Sequence, residues 1–199
     1  FQLYKDMNDK GYFTKGDLGL NYDQQRDEFL AGKAGMLFDG SWRGSLFQEG
    51  GLGASLAGKV GFIALPGVPN GKGDQTALNT NFNNGYGFSS DVDENELKAI
   101  KAFIKNLYND EMQVRGLLED GVIPSMKVAE SEMAKVTNDA TKQAIQVLSA
   151  AGPSFPHFDA VVNGEVYKES EAQIQKLIAG QVTPQQMGDA IQKVSDSVK

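Results

Sequence analysis

Phe29-Leu30-Ala31-Gly32-Lys33-Ala34-Gly35-Met36-Leu37-Phe38-Asp39-Gly40-Ser41-Trp42 holds the only tryptophan of a 199-residue chain. The indole follows a glycine–serine break at the end of an apolar run. Leu37-Phe38 reads as the end of a short buried strand and Gly40-Ser41 as the turn that opens a helix. A tryptophan so placed stands near a helix N-terminus at the carboxyl edge of a sheet, where α/β proteins tend to bind ligands. Indole faces pack against the C–H faces of sugars, and backbone N–H groups at a helix start hold hydroxyls or anions. A tryptophan that simply fills the core is the alternative the same pattern allows.

Further signals follow in a fixed order. Lys59-Val60-Gly61-Phe62-Ile63-Ala64-Leu65-Pro66-Gly67 is a short apolar strand stopped by proline, and Asn83-Asn84-Gly85-Tyr86-Gly87-Phe88-Ser89-Ser90 reads as a strand with a glycine-lined start. Gly121-Val122-Ile123-Pro124-Ser125 comes after two helices, and a long amphipathic helix closes the chain. Together these five motifs resemble the extracytoplasmic sugar-binding proteins of ABC importers, the broad maltose-binding-protein-like group. The family pattern is phenylalanine, two residues, Gly-Lys-Ala, a small residue, Met and then Gly-Ser-Trp. Here it is met by Phe29, Gly32 to Ala34, Gly35, Met36 and Gly40 to Trp42.

The resemblance covers nearly all of the chain and carries several expectations. The fold would be α/β: a periplasmic-binding-protein-like type II lobe, a mixed sheet flanked by helices and helix-rich. The function would be that of a substrate-binding component that captures a sugar or oligosaccharide outside the membrane and delivers it to a permease. It would need no cofactor and catalyse nothing, and it would work in the periplasm or as a cell-surface lipoprotein. Family members are longer, with two lobes around a cleft. Phe1-Gln2-Leu3-Tyr4 reads as the middle of a helix, and no charged start precedes an apolar run, so the C-terminal half of a larger protein is expected. By resemblance, residues 1–83 belong to the second lobe, 84–127 return to the first, and 128–199 supply second-lobe helices. Leu97, Phe103 and Leu107 would then form a face lacking its cover, which favours self-association.

Composition narrows the partners. Zero cysteines remove disulfides, thiolate zinc sites and thiol catalysis together. A net charge of −7 argues against nucleic acid, which is bound through clustered Lys and Arg, and against an anionic membrane surface. No apolar run approaches the ~20 residues that span a bilayer.

The coarse element pattern alternates first and is helical later. A helix end at residues 1–9, a helix from Tyr22 to Ala31, a strand from Ala34 to Phe38 and a short helix from Ser41 are expected. A strand from Val60 to Ala64 and a long loop from Pro66 follow. Asp93 would cap a helix carrying Leu97, Ile100, Phe103, Ile104 and Leu107, and Asp110 would cap the next. A third helix spans Thr137 to Ala151, and Gly152 to Asp159 reads as an extended, proline-fixed segment. A helix from Gly164 to Ala179 precedes Thr183-Pro184-Gln185-Gln186, a capping box with proline at the first helical position. The last helix would bury Met187, Ala190, Ile191, Val194 and Val198.

Catalytic patterns fail in turn. His157 is the single histidine, which with no cysteine removes the usual transition-metal sites. Gly40-Ser41-Trp42-Arg43-Gly44 has its serine in the wrong place for a nucleophile elbow. Gly85 to Ser90 lacks the third glycine of a dinucleotide loop. Asp91 to Asn95 starts like a calcium loop but lacks its turn glycine, and Ala102 stands where the closing glutamate should be.

Candidate ligand-binding residues gather in three places. Asp39, Trp42 and Arg43 flank the first turn; Asp39 could accept from sugar hydroxyls or cap the helix, and Arg43 could donate to a sugar or pair with Asp39. Asn81, Asn83, Asn84, Gly85 and Tyr86 form an asparagine–aromatic cluster, for which turn chemistry is the structural alternative. Phe155, His157, Phe158 and Asp159 stand on the proline-fixed segment. Two classes of function stay open: a sugar receptor, and a glycoside-acting enzyme using paired carboxylates. No acid isolated in an apolar segment marks the second.

Overall fold

The computed structural model describes residues 1–79 and 85–198. Its helices are α1 (Gln2–Asp9), α2 (Tyr22–Leu30), α3 (Glu94–Leu107), α4 (Asp110–Asp120), α5 (Glu130–Met133), α6 (Asp139–Ser149), α7 (Phe158–Val161), α8 (Gly164–Ile178) and α9 (Pro184–Ser197). A tighter 3-10 segment, Ser41–Phe47, lies between α2 and α3.

Local chemistry fixes the helix starts. Asp93 accepts from the N–H groups of Asn95 and Glu96, and the Glu96 carboxylate accepts in return from the Asp93 N–H. Thr183 and Gln186 close the same reciprocal box before α9, with Pro184 at the first helical position. Asn21 and Gln24 do so for α2. At α4 the cap is Asn109, whose Oδ1 accepts from the Met112 N–H at 2.9 Å. The expected cap, Asp110, is instead the first helical residue, where its charge favours the positive end of the helix.

Two expectations change. The mixed sheet does not form among the described residues: 34–38, 60–64 and 85–90 carry no strand ladder, and a single parallel bridge joins Leu78 to Ser154. A strand exists through the N–H and C=O groups of a neighbour, and these segments lie with Met36, Phe38 and Ile63 at least 75% exposed. Apolar content alone therefore does not distinguish a paired strand from an unpaired segment. The second change is α7. Pro153 and Pro156 hold the chain extended only as far as Pro156, and Phe158–Val161 then turns helical after His157.

The described chain divides into two compact units, Phe1–Leu37 with Pro156–Lys199, and Phe38–Phe155. In the first, α8 packs on α9 and α1 on α8. Leu177 and Met187 are completely buried and Val166 nearly so. Ala190, Ile191, Val194 and Val198 are half-buried along the same apolar stripe. The Asn8 side-chain amide ties α1 to the end of α8 by donating to the Ile178 carbonyl at 3.1 Å.

In the second unit, Ser41–Phe47 lies on α6, where Phe47, Ala140, Thr141 and Ala144 are buried. Leu117 of α4 and Val136 are buried as well. No residue of α3 is buried; Leu97 and Phe103 are 40% and 50% exposed.

Because Leu177 has no remaining exposure, Leu177→Ala leaves a cavity between α8 and α9. Chemical denaturation should show a loss of about 2–5 kcal/mol, whereas Ile174→Ala, on the more exposed side of α8, should cost far less.

Candidate functional site

The turn before Trp42 is built around a buried charge pair. Arg43 Nε donates to Asp39 Oδ2 at 2.6 Å, and the two side chains are only 10% and 6% exposed. Asp39 Oδ1 accepts from the Gly40 N–H at 2.8 Å. The Arg43 backbone N–H in turn donates to the Gly40 carbonyl at 3.1 Å. The residue at the cap position of the helix that follows is Gly40, which has no side chain to offer. Of the alternatives read from the sequence, the pairing of Arg43 with Asp39 is therefore present.

Trp42 lies outside the core, with 53% of its surface exposed. The turn beneath it is anchored from α6. Asn138 caps α6 through Oδ1 and uses its Nδ2 to donate to the Gly44 carbonyl at 2.8 Å. Gly44 lies against Thr141: a β-carbon added at Gly44 would come within 2.8 Å of Thr141 Oγ1. Sequence reasoning missed Gly44, Asn138 and Thr141, which belong to a contact spanning most of a hundred residues. The one available signal is the double use of Asn138 as a cap residue.

A cleft of about 370 Å³ opens in the same unit, among Phe47, Glu49, Leu56, Val60, Glu119 and Asp139. None of Asp39, Trp42 and Arg43 lines it. Its acidic rim, with Glu49, Glu119 and Asp139, offers no aromatic face beyond Phe47, so the tryptophan turn remains the better candidate for a sugar.

The other candidates resolve as follows. Asn81, Asn83 and Asn84 lie outside the described residues. Gly85 lies outside any helix or strand, and Tyr86 turns its ring edge-on to Phe103 of α3 at 5.8 Å and to Tyr108 at 6.4 Å. In the other unit, His157 precedes α7 and Asp159 lies in its first turn. Phe158, half exposed, sits 6.5 Å from the Tyr167 ring of α8. The charge of Glu171 and its hydrogen bond to the phenol, then slight burial and the charge of Asp159, hold Tyr167 above the usual tyrosine range. Phe155 is 47% exposed. Among the described residues no group of three or more His, Cys, Asp or Glu side chains is placed to hold a metal.

Removing one member of a buried charge pair strands the other. Asp39→Ala should therefore lower stability by about 3–5 kcal/mol, read by denaturant unfolding. Replacing both residues, Asp39→Leu with Arg43→Met, should recover much of that loss. Equal losses in the single and double variants would mean that losing Asp39 does not strand Arg43.

The sequence profile of the bacterial extracellular solute-binding proteins matches residues 1–114. No curated protein matches the chain. Among solved structures, a chitin oligosaccharide binding protein is 37% identical and superposes with a TM-score of 0.86. The match covers 99% of this chain and 47% of that one, so the chain spans about half the length of this relative. The chain belongs to the bacterial extracellular solute-binding proteins.

Proposed function

We propose that this protein is the substrate-binding component of an ABC importer, that it captures a carbohydrate outside the membrane, and that it hands it to the permease. A chitin oligosaccharide is the ligand class we assign, on the 37% identity to a chitin oligosaccharide binding protein along nearly the whole chain. One observation carries the reading at the level of residues. An exposed indole stands on a turn whose charges are already paired. Sugars present C–H faces to such a ring, and a charge-neutral setting suits a neutral ligand.

The competing glycoside-acting enzyme needs two carboxyl groups facing each other across a bond, one of them protonated. Asp39, the acid nearest Trp42 in sequence, is instead held in its ion pair by Arg43. This favours binding without catalysis.

The lobe arrangement belongs to the same proposal. Residues 1–83 and 128–199 make up the second lobe and 84–127 return to the first. We assign the apolar segments at 34–38 and 60–64, which carry no ladder here, to a mixed sheet formed in the two-lobed protein. The exposed Leu97 and Phe103 on α3 favour self-association of the chain. Sedimentation should accordingly detect a species heavier than the 21.5 kDa monomer, and Phe103→Ser should shift it toward the monomer. A monomer at every concentration would remove self-association from the proposal.

Titration calorimetry with chitin oligosaccharides tests the functional reading. Trp42→Ala should weaken binding by roughly 1–3 kcal/mol, the scale of an aromatic anchor. The ligand-free melting temperature should hardly move, because a half-exposed ring leaves no closed cavity when truncated. Recovered sugar should be intact; shortened oligosaccharide would favour the enzyme. Unchanged affinity in the variant would remove Trp42 from the site.

A further inference from the structure

We propose that Gly40 is the seat of Trp42: the missing side chain at Gly40 is the space in which the indole lies, and this makes Gly40 a positioning residue for the platform. The proposal rests on the reading of Trp42 as the surface that meets the sugar.

The backbone does not call for glycine here. Gly40 has φ −100 and ψ 171, an extended conformation open to any residue. It is thus unlike Gly32 or Gly121, whose positive φ accounts for their glycines. What excludes a side chain is the indole. A β-carbon built on Gly40 would overlap Cζ3, Cη2 and Cε3 of Trp42, the edge of the six-membered ring. The ring therefore folds back across the chain two residues before it and occupies the β-carbon position of Gly40.

The backbone at Gly40 is also poorly able to yield. Its N–H is held by Asp39 Oδ1 and its carbonyl by the Arg43 N–H. Asp39 and Arg43 are joined to each other by the buried ion pair. Gly40 is thus enclosed in a small closed circuit of hydrogen bonds. A methyl group added there would displace the indole before it displaced the chain. With one part of the ring laid on Gly40 and 53% of the residue open, the tryptophan is already ordered before a ligand arrives. Ordering a rotamer-rich side chain on binding otherwise subtracts from affinity.

The single tryptophan gives a direct readout that needs no ligand. Gly40→Ala should shift the indole emission and increase its quenching by acrylamide, with far-UV dichroism unchanged. Gly35→Ala is the control, since a β-carbon there meets nothing within 4 Å, and it should leave the emission as it is. Affinity for chitin oligosaccharide should fall about 2- to 10-fold in Gly40→Ala, the scale of ordering one side chain. The same change made on Trp42→Ala should have no further effect on affinity. A Gly40→Ala protein with unaltered emission and quenching would overturn the seat.

Time-resolved anisotropy of the unmodified chain provides a second measurement, should the variant not fold. A seated indole should show little sub-nanosecond depolarisation, and a large fast component would overturn the proposal. The two readings fail separately. If Gly40→Ala alters the emission while Trp42→Ala leaves sugar affinity intact, the seat stands and the platform falls. If Trp42→Ala abolishes binding while Gly40→Ala changes neither emission nor affinity, the platform stands and the seat falls.

Discussion

The candidate site depends on how closely the backbone of Ser41–Phe47 can approach α6. Gly44 is what permits it, because a β-carbon at that position would press on Thr141 Oγ1. Asn138 then binds the Gly44 carbonyl with the same side chain that starts α6. Phe47 on the segment and Ala140 and Ala144 on α6 are buried as the two elements meet. With that face of the segment fixed, Trp42 is left half exposed while Arg43, the next residue, is buried. Burial of Arg43 in turn demands an anionic partner, and Asp39 is four residues back. The order of residues in Asp39-Gly40-Ser41-Trp42-Arg43 thus follows from one packing contact.

Where no strand ladder is found among the described residues, long amide side chains of the second unit meet the backbone instead. Gln143 accepts from the Phe62 N–H at 2.9 Å, Gln75 from the Val68 N–H, and Gln113 from the Ser125 N–H. Gln48 donates to the Glu119 carbonyl. Each such bond contributes at most about 1 kcal/mol net, and the one to Gln143 is the least exposed of them. Amides suit this task because one group carries both a donor and an acceptor. The consequence is a unit pinned at discrete points, with apolar side chains such as Ile63 still facing outward.

Local chemistry was legible in the sequence, and non-local chemistry was not. Asp93 with Glu96 and Thr183-Pro184 with Gln186 specify their helix starts within four residues, so the reading and the structure agree there. Met187 fell where the 3.6-residue period placed it. Choosing Asp110 over Asn109 was an error of a single position, since either side chain can accept from a helix N–H. The run from Ala34 to Phe38 is a different matter. Its composition suits a strand, but pairing depends on a neighbour that no local pattern specifies. Gly40 stood in plain view inside the motif, yet its importance lies in a ring two residues away that bends back over it.

Charge bears on the proposal that this turn meets a neutral ligand. The chain carries a net −7, and an unpaired acid beside the indole would add a desolvation cost to any sugar settling over it. Arg43 removes that cost by lying 2.6 Å from Asp39 beneath the surface. The pair is expensive to bury and brings little stability compared with well-packed apolar residues. Its benefit is geometric: it locks the Gly40 backbone through Asp39 Oδ1 on one side and the Arg43 N–H on the other. Net neutrality and a rigid seat thus come from the same two residues. What remains at the surface is the open half of an aromatic side chain, and such a ring discriminates by shape and C–H polarity and makes no demand on charge.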